Sequence, residues 1–334
     1  MLTVGLIGCG GMGSVHANCW LALSDRVKLV AIADAMPEKV KELAEKAGAK
    51  VYSSGDELLA NETPDIIDIC VPTYLHTSHA VAAMKKGCRV FMEKPVCLNE
   101  EEAQLLLDTQ KETGARVQIG QVIRFWDEYV WLKKAADSGE YGKIVSGVFQ
   151  RLSSNPKWAW ENWYNDHKKS GTVALDLHIH DIDFIRYLMG CEPDKVSSSA
   201  TRSPDGTIEQ IFSTYSFGSS VITAEGCWDY PDNFPFSASY RIKFEKATVI
   251  YDGEKFVVYF EIGEKTEPEI TKDFEADVDC GINISSLGAY FNEIKYFIDS
   301  IISESSEEIA PLCEAVKSAR VAWKEVELSG GAKL

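Results

Sequence analysis

The sequence predicts a doubly wound α/β domain followed by an α+β domain built on a large, mostly antiparallel sheet. Three observations predict it. Short, nearly continuous apolar runs alternate with helical stretches through the first 120 residues, the pattern of parallel strands covered on both faces. That alternation stops after Gly120. From Val196 to Gly263 extended runs follow one another across tight turns, which suits antiparallel neighbours. The expected division is therefore 1–120 and 121–334.

Taken in order, LTVGLIG is an apolar run ending in glycines, and VHANCWLALSD an amphipathic helix. VKLVAIAD is a second run, followed by a helix from Pro37 to about Ala47. DIIDICVP, HTSHAVAAMKKG, RVFMEKP, NEEEAQLLLDTQKETG and ARVQIG continue as strand, helix, strand, helix and strand. A helix over about 127 to 138 then leads into KIVSGVFQRL and a tryptophan-rich loop, NPKWAWENWYND. After SGTVALDLHIHDIDFIRYLMG, the runs IEQIFSTYSFG, SSVITAEGCW, SASYRIKFEK, ATVIYDG and KFVVYFEIG supply the second sheet. Helices over 288–304 and 311–328 close the chain, the latter opened by Pro311 in its first turn. Helices are expected on one side of this sheet only. Its other face needs a cover, most simply a second subunit, so a homodimer or homotetramer is expected.

Composition narrows the class. With 45% hydrophobic and 25% charged residues over 334 positions, the chain reads as globular. A net charge of −17 argues against a nucleic-acid partner, which would want a basic stripe. No apolar run approaches the ~18 residues of a membrane span, and the N-terminus runs straight into a strand without the layout of a signal peptide. The nine cysteines form no C-x-x-C pair, and several sit in apolar runs. They read as reduced, buried thiols of a cytoplasmic protein.

Gly8-Cys9-Gly10-Gly11-Met12-Gly13 fits G-x-G-x-x-G. It follows a strand, opens a helix and precedes Asp34 at the end of the next strand, 21 residues after Gly13. In a Rossmann domain Gly8 would turn the chain, Gly10 would let the backbone approach a pyrophosphate, and Gly13 would let helix and strand pack closely. The diphosphate would meet the free N–H groups at the helix start. Asp34 can accept from the adenosine ribose hydroxyls and would repel a 2′-phosphate, which favours NAD over NADP. At the end of a later strand, Lys94 of Glu93-Lys94-Pro95 would face the crevice at the carboxyl edge of the sheet.

With these residues the chain resembles the Gfo/Idh/MocA family of glucose-fructose oxidoreductase, inositol dehydrogenase and their relatives. The likeness rests on GLIGCGGMG, Asp34, VPTYLH, GCRVFMEKP, IGQVIRF and SGTVALDLHIHDID, in order and over nearly the whole chain. It implies that Lys94 reaches the substrate beside the nicotinamide, before a proline that is often cis. It places Thr73, His76 and Glu93 near the nicotinamide ribose, and it matches Arg124 to an arginine that can reach substrate. Val122 and Ile123 depart from the polar or basic residues common before that arginine.

DLHIHDID (176–183) admits two readings. As a strand it would put Asp176, His178 and His180 on one face, like a metal site. As a helix it aligns Asp176, His180 and Asp183. Ser170 as a cap, Gly190 as a stop and apolar residues at 173, 177, 182, 185 and 188 favour the helix. The resemblance agrees, since the family's D-x-G-x-H-x-x-D element matches Asp176, His180 and Asp183, with His178 in the glycine position. No metal is therefore expected. His180 suits general-base work near neutrality, oriented by Asp176. Lys94 would stabilise developing alkoxide charge or, if desolvated, be the base itself.

Other positions keep two readings. His178 could line a pocket or pack against a loop. Asn155, Trp163 and Tyr164, with Trp158 and Trp160, could bind a sugar ring or anchor their own loop. His16, His79 and His167 read as ordinary helix or loop residues. The expectation is an NAD-dependent dehydrogenase acting on a secondary alcohol of a cyclic polyol, sugar or sugar derivative. The alternatives are a relative acting on a non-sugar substrate, of dihydrodiol or biliverdin type, and a non-catalytic NAD-binding regulator.

Overall fold

The structure is a computed structural model and describes residues 1–157, 160–270, 272, 274, 276 and 287–331. Strands β1 (Leu2–Ile7), β2 (Val27–Ala33), β3 (Lys50–Tyr52), β4 (Ile66–Ile69), β5 (Arg89–Glu93) and β6 (Val117–Gly120) come first. Between them run helices α1 (Gly11–Ala22), α2 (Lys41–Ala47), α3 (Gly55–Asn61), α4 (His76–Lys85) and α5 (Glu100–Thr113). Next come α6 (Asp127–Ser138), β7 (Ile144–Ser154), α7 (His167–Ser170), a π-helical turn (Ala174–His178) and α8 (Ile179–Met189). The remaining strands are β8 (Lys195–Arg202), β9 (Ile208–Phe217), β10 (Ser220–Tyr230), β11 (Ser237–Phe244), β12 (Ala247–Tyr251) and β13 (Phe256–Phe260). Helices α9 (Gly288–Ile302) and α10 (Leu312–Leu328) follow.

The chain forms two compact units. The first holds residues 1–122 and the described part of 273–316, and the second holds the described residues of 123–272 and those from Lys317 onward. In the first unit six parallel strands run in the order β3-β2-β1-β4-β5-β6. The order reverses between β1 and β4, and the crevice beyond the carboxyl ends of the strands there is where such sheets bind ligands. All four residues of β4 are buried, as a strand covered on both faces requires. Asn99 caps α5 by accepting from the Glu102 N–H at 2.9 Å, and Gly114 ends it at φ 69°.

Two features of this unit differ from the sequence expectation. The single helix expected from Pro37 is a 3₁₀ turn (Pro37–Lys39) followed by α2, and β3 and α3 carry too few residues to show a period. The unit's first segment does end near Gly120, at Val122, but the unit also takes in the described part of 273–316. Helix α9 presents Ile294, Phe297, Ile298 and Ile301 to the core that contains Val15, Cys19 and Trp20 of α1. Arg26 and Asp299 form an ion pair beside it. Spacing shows that α9 has an apolar stripe, but not which sheet the stripe covers.

The second unit is built on a seven-stranded sheet in the order β13-β12-β11-β7-β10-β9-β8. Only the central pair, β7 with β10, is parallel. The π turn and α8 pack on one face, over an aromatic core in which Tyr129 meets Phe184 at 4.8 Å and Tyr240 at 5.0 Å. A buried ion pair, Arg151 to Asp181 at 2.9 Å, lies within it. On the opposite face Ser146, Val148, Val221, Thr223, Arg241 and Lys243 line a depression, and Phe212 and Val221 are 44% and 43% exposed.

Candidate active site

In the first unit the glycine motif closes β1 onto α1. Gly8 has φ +86°, and a Cβ there would lie 2.6 Å from the Cys70 carbonyl oxygen, so turn and close approach both require glycine. A Cβ on Gly13 would lie 2.1 Å from the Gly8 carbonyl oxygen. Gly10 is the N-cap of α1 and makes no side-chain capping bond, and a Cβ on it would meet nothing within 4 Å. The first-turn N–H groups of Gly11, Met12 and Gly13 have no partner within the helix ladder, as at any helix start, and the space beside Gly10 is open. Asp34, just after β2, accepts from the Cys9 N–H at 2.8 Å through Oδ2 and from the Met36 N–H at 2.8 Å through Oδ1. A carboxylate has about four lone-pair sites, so Asp34 can brace the loop and still accept from a ribose.

The carboxyl ends of β4 and β5 carry the other candidates. Thr73 is buried in a 3₁₀ turn, and His76 opens α4 with Nδ1 at 2.8 Å from the Pro95 carbonyl and Nε2 at 2.8 Å from the Val71 carbonyl. Burial lowers the His76 pKa against the opposing pull of those two carbonyls. Glu93 ends β5 and is 6% exposed, and its Oε2 accepts from the Lys94 N–H at 3.1 Å. Lys94 is half-buried and precedes Pro95 across a cis peptide bond.

His16 was expected to be an ordinary helix residue and is not. Its ring is wholly buried, with Nδ1 3.0 and 3.1 Å from the two Asp68 oxygens and Nε2 3.0 Å from Glu93 Oε1. Cys70 Sγ lies 3.2 Å from Nδ1, and the Trp20 indole donates to Asp68 at 2.6 Å. The signal available in sequence was Asp68 itself, since a carboxylate inside a fully apolar strand demands a partner.

In the second unit the segment carrying Asp176 and His180 is not one regular helix. Ser170 ends α7 instead of capping a longer helix; its hydroxyl donates to the Tyr164 carbonyl at 2.7 Å and accepts from the Thr172 N–H at 3.0 Å. Gly171 and Thr172 are left-handed, at φ 70° and 65°, and the π turn follows. Asp176 lies in the π turn and His180 is the second residue of α8, both half-buried. The i, i+4 alignment expected for them assumed 3.6 residues per turn, which a π turn does not keep. Gly190 does end α8, at φ 67°. A β-branched residue at positive φ is strained. Thr172→Gly is expected to raise stability by roughly 0.5–1 kcal/mol, because relief of about 1–2 kcal/mol of strain exceeds the added freedom of glycine in the unfolded chain. A thermal melt checks this, and a lower Tm would refute it.

Two of the remaining candidates, His178 and Arg124, occupy interior positions. His178, read as lining a pocket or packing against a loop, is fully buried. Its Nε2 lies 3.2 Å from Glu325 and 3.3 Å from the Tyr215 hydroxyl, in space that Gly226 leaves open. A Cβ on Gly226 would sit 2.8 Å from the His178 Cβ. Arg124, expected to reach substrate, is 4% exposed and grips Asp183 through two bonds of 2.7 Å, with its guanidinium 4.6 Å over the Tyr187 ring. Ser318 donates to the same carboxylate at 2.8 Å. Asp183 therefore anchors α8, as a buried, paired charge does. Trp163 stacks on Tyr164 at 4.1 Å and joins a small core with Val173 and Ala174 of the next segment. Asn155 donates to Asn165 at 3.1 Å across the base of the same loop. Trp160 is 44% exposed, and Trp158 lies outside the described residues.

Residues 2–121 match the oxidoreductase family with an NAD-binding Rossmann fold, and residues 129–250 match the GFO/IDH/MocA C-terminal domain. The chain belongs to the GFO/IDH/MocA family. This GFO/IDH/MocA protein is 29% identical to the inositol 2-dehydrogenase of Rhizobium meliloti over 92% of its own length and 90% of that protein. It is 32% identical to the scyllo-inositol 2-dehydrogenase (NAD(+)) of Bacillus subtilis, over 58% of this chain and 55% of the relative. Among solved structures, UDP-N-acetylglucosamine 3-dehydrogenase from Acidithiobacillus ferrooxidans superimposes with a TM-score of 0.80 at 21% identity. That match covers 98% of this chain and 97% of the other. A levoglucosan dehydrogenase solved with NADH and levoglucosan gives 0.83 at 20% identity, over 98% and 97%. The GFO/IDH/MocA protein is thus an NAD-binding oxidoreductase with the family fold.

Proposed function

We propose that this protein is an NAD-dependent dehydrogenase that moves a hydride between nicotinamide and a secondary alcohol or ketone of a cyclic polyol, sugar or sugar derivative. The observation that carries the reading is the likeness to an inositol 2-dehydrogenase over 92% of the chain. The survival of Lys94, Asp176 and His180 together supports it, because a regulator that only bound NAD would have no use for an acid/base set. NAD, when bound, supplies the hydride acceptor. His180 takes the hydroxyl proton, Asp176 favours the imidazolium so formed, and Lys94 stabilises negative charge on the reacting oxygen. Thr73, His76 and Glu93 shape the nicotinamide end of the cofactor cradle, while Asn155 and Trp163 hold the loop that faces substrate.

The protein works as a homo-oligomer in this reading. The open face of the second sheet, with Phe212 and Val221 exposed, is covered by another copy. No helix among the described residues is long and apolar enough to cross a membrane, and no disulfide joins the described cysteines, which fits a reducing cytoplasm. The test is to mix protein and NAD with a panel of inositols, hexoses and amino sugars and to follow reduced nicotinamide. Turnover of at least one cyclic polyol or sugar is expected. NAD binding with no turnover of any of them refutes the reading.

A further inference from the structure

The ring of His16 has a carboxylate on each nitrogen. Ionised carboxylates only accept, so satisfying Asp68 at Nδ1 and Glu93 at Nε2 takes two ring protons. A neutral ring would aim a lone pair at a carboxylate in the interior, or would force a proton onto one acid. The groups facing the ring come from three elements: Asp68 and Cys70 at the end of β4, Phe91 and Glu93 on β5, and Tyr290 on α9, while Trp20 on α1 donates to Asp68. Burial pushes the Cys70 thiol well above its ordinary range, while the His16 ring beside it pulls the other way. Glu93 in turn holds the Lys94 amide through its second oxygen.

We infer that His16 is a positioning residue, held as an imidazolium between Asp68 and Glu93, and that its charge fixes the Glu93 carboxylate under the Lys94 amide and so sets the Glu93-Lys94-Pro95 turn. The importance of that turn rests on the reading of Lys94 given above. The state of the ring and the rigidity of the turn do not, and they can be measured without a substrate.

Burial alone would lower the His16 pKa, but the Cys70 and Asp68 groups around Nδ1 outweigh it and raise the value well above the ordinary one. A folded-state pKa raised in this way gives stability that is complete below about pH 6.5 and fades as pH climbs through the folded value. The stability margin of the wild type over His16→Gln should therefore shrink as pH rises above that point.

In intact protein carrying ¹⁵N-labelled histidine, both His16 ring nitrogens should remain protonated above the pH of about 6.5 at which a free imidazole titrates, with the signals identified by their loss in His16→Gln. A ring that titrates near 6.5 overturns the inference. So does stoichiometric zinc bound to the purified protein in place of the ring protons. Hydrogen exchange at the Lys94 amide should quicken at least about tenfold in His16→Gln, and unchanged exchange refutes the positioning role. If His16→Gln does not fold, Asp68→Asn serves, because removing one counter-charge should return the ring pKa toward 6.5, and a ring unaffected by that change also counts against the inference. With a substrate from the panel, His16→Gln should lower kcat while KM for NAD moves by less than about threefold. Should Lys94→Ala prove harmless to turnover, the catalytic reading fails while the spectroscopic and exchange results still decide this one.

Discussion

Lys94→Ala is expected to lower kcat by about two to three orders of magnitude, the cost of removing one preorganised group that stabilises charge at a reacting oxygen. NAD affinity should stay within about threefold of the wild type, because in the proposed reading the dinucleotide would rest on backbone N–H groups at the start of α1 rather than on this side chain. His180→Asn should produce a loss of about 10²–10⁴ with the same spared affinity. The pH profile separates the two roles. If His180 takes the proton, wild-type kcat/KM falls on the acid side as the imidazole becomes protonated, and the residual activity of His180→Asn loses that limb. Lys94→Arg keeps the charge but cannot act as a base at neutral pH, so partial recovery in Lys94→Arg identifies an electrostatic role. Near-normal turnover in both Lys94→Ala and His180→Asn would remove the assignment.

Gly13→Ala should damage folding and cofactor binding together. The added methyl would sit 2.1 Å from the Gly8 carbonyl oxygen, a backbone atom that cannot swing aside. Helix α1 would have to lift from the loop, at a cost of roughly 1–3 kcal/mol or more, and the N–H groups of its first turn would move with it. Gly10→Ala is the informative contrast. Its methyl meets nothing within 4 Å of protein, so the melting temperature should hold while the diphosphate is kept out. Thermal melts with NAD titrations on both variants check the pair. A Gly13→Ala protein that melts and binds like the wild type would show that the loop is softer than this packing implies.

What the sequence could and could not announce follows from the range of the interactions. Five of the six strands of the first sheet were legible because each is a short apolar run, whereas β3, three residues long, was not; the glycine motif was legible because its function is local. Gly190 stopped α8 for the same reason. Longer-range pairings were not legible. The partners of His16 lie 52 and 77 positions away, and nothing near position 16 announces them. Arg124 and Asp183 were both singled out, but the bidentate bond that occupies the arginine joins residues 59 apart. His178 could be read as a pocket residue only because Gly226, which makes room for it, is on a strand 48 positions on. The π turn was hidden for another reason: apolar residues at helical spacing look alike whether one turn is tight or wide.

The place of α9 bears on how the protein is made. The dinucleotide half of the molecule has its last strand by residue 120, yet the helix that seals the flank of α1 ends at Ile302. A ribosome adding about 5–20 residues per second needs on the order of ten to forty seconds to cover that interval. Through that delay the nascent half exposes the oily groove around Val15, Cys19 and Trp20. Its completion waits for the second half to be synthesised, so a fragment cut after residue 120 should be a sticky, chaperone-dependent species rather than a free-standing cofactor module.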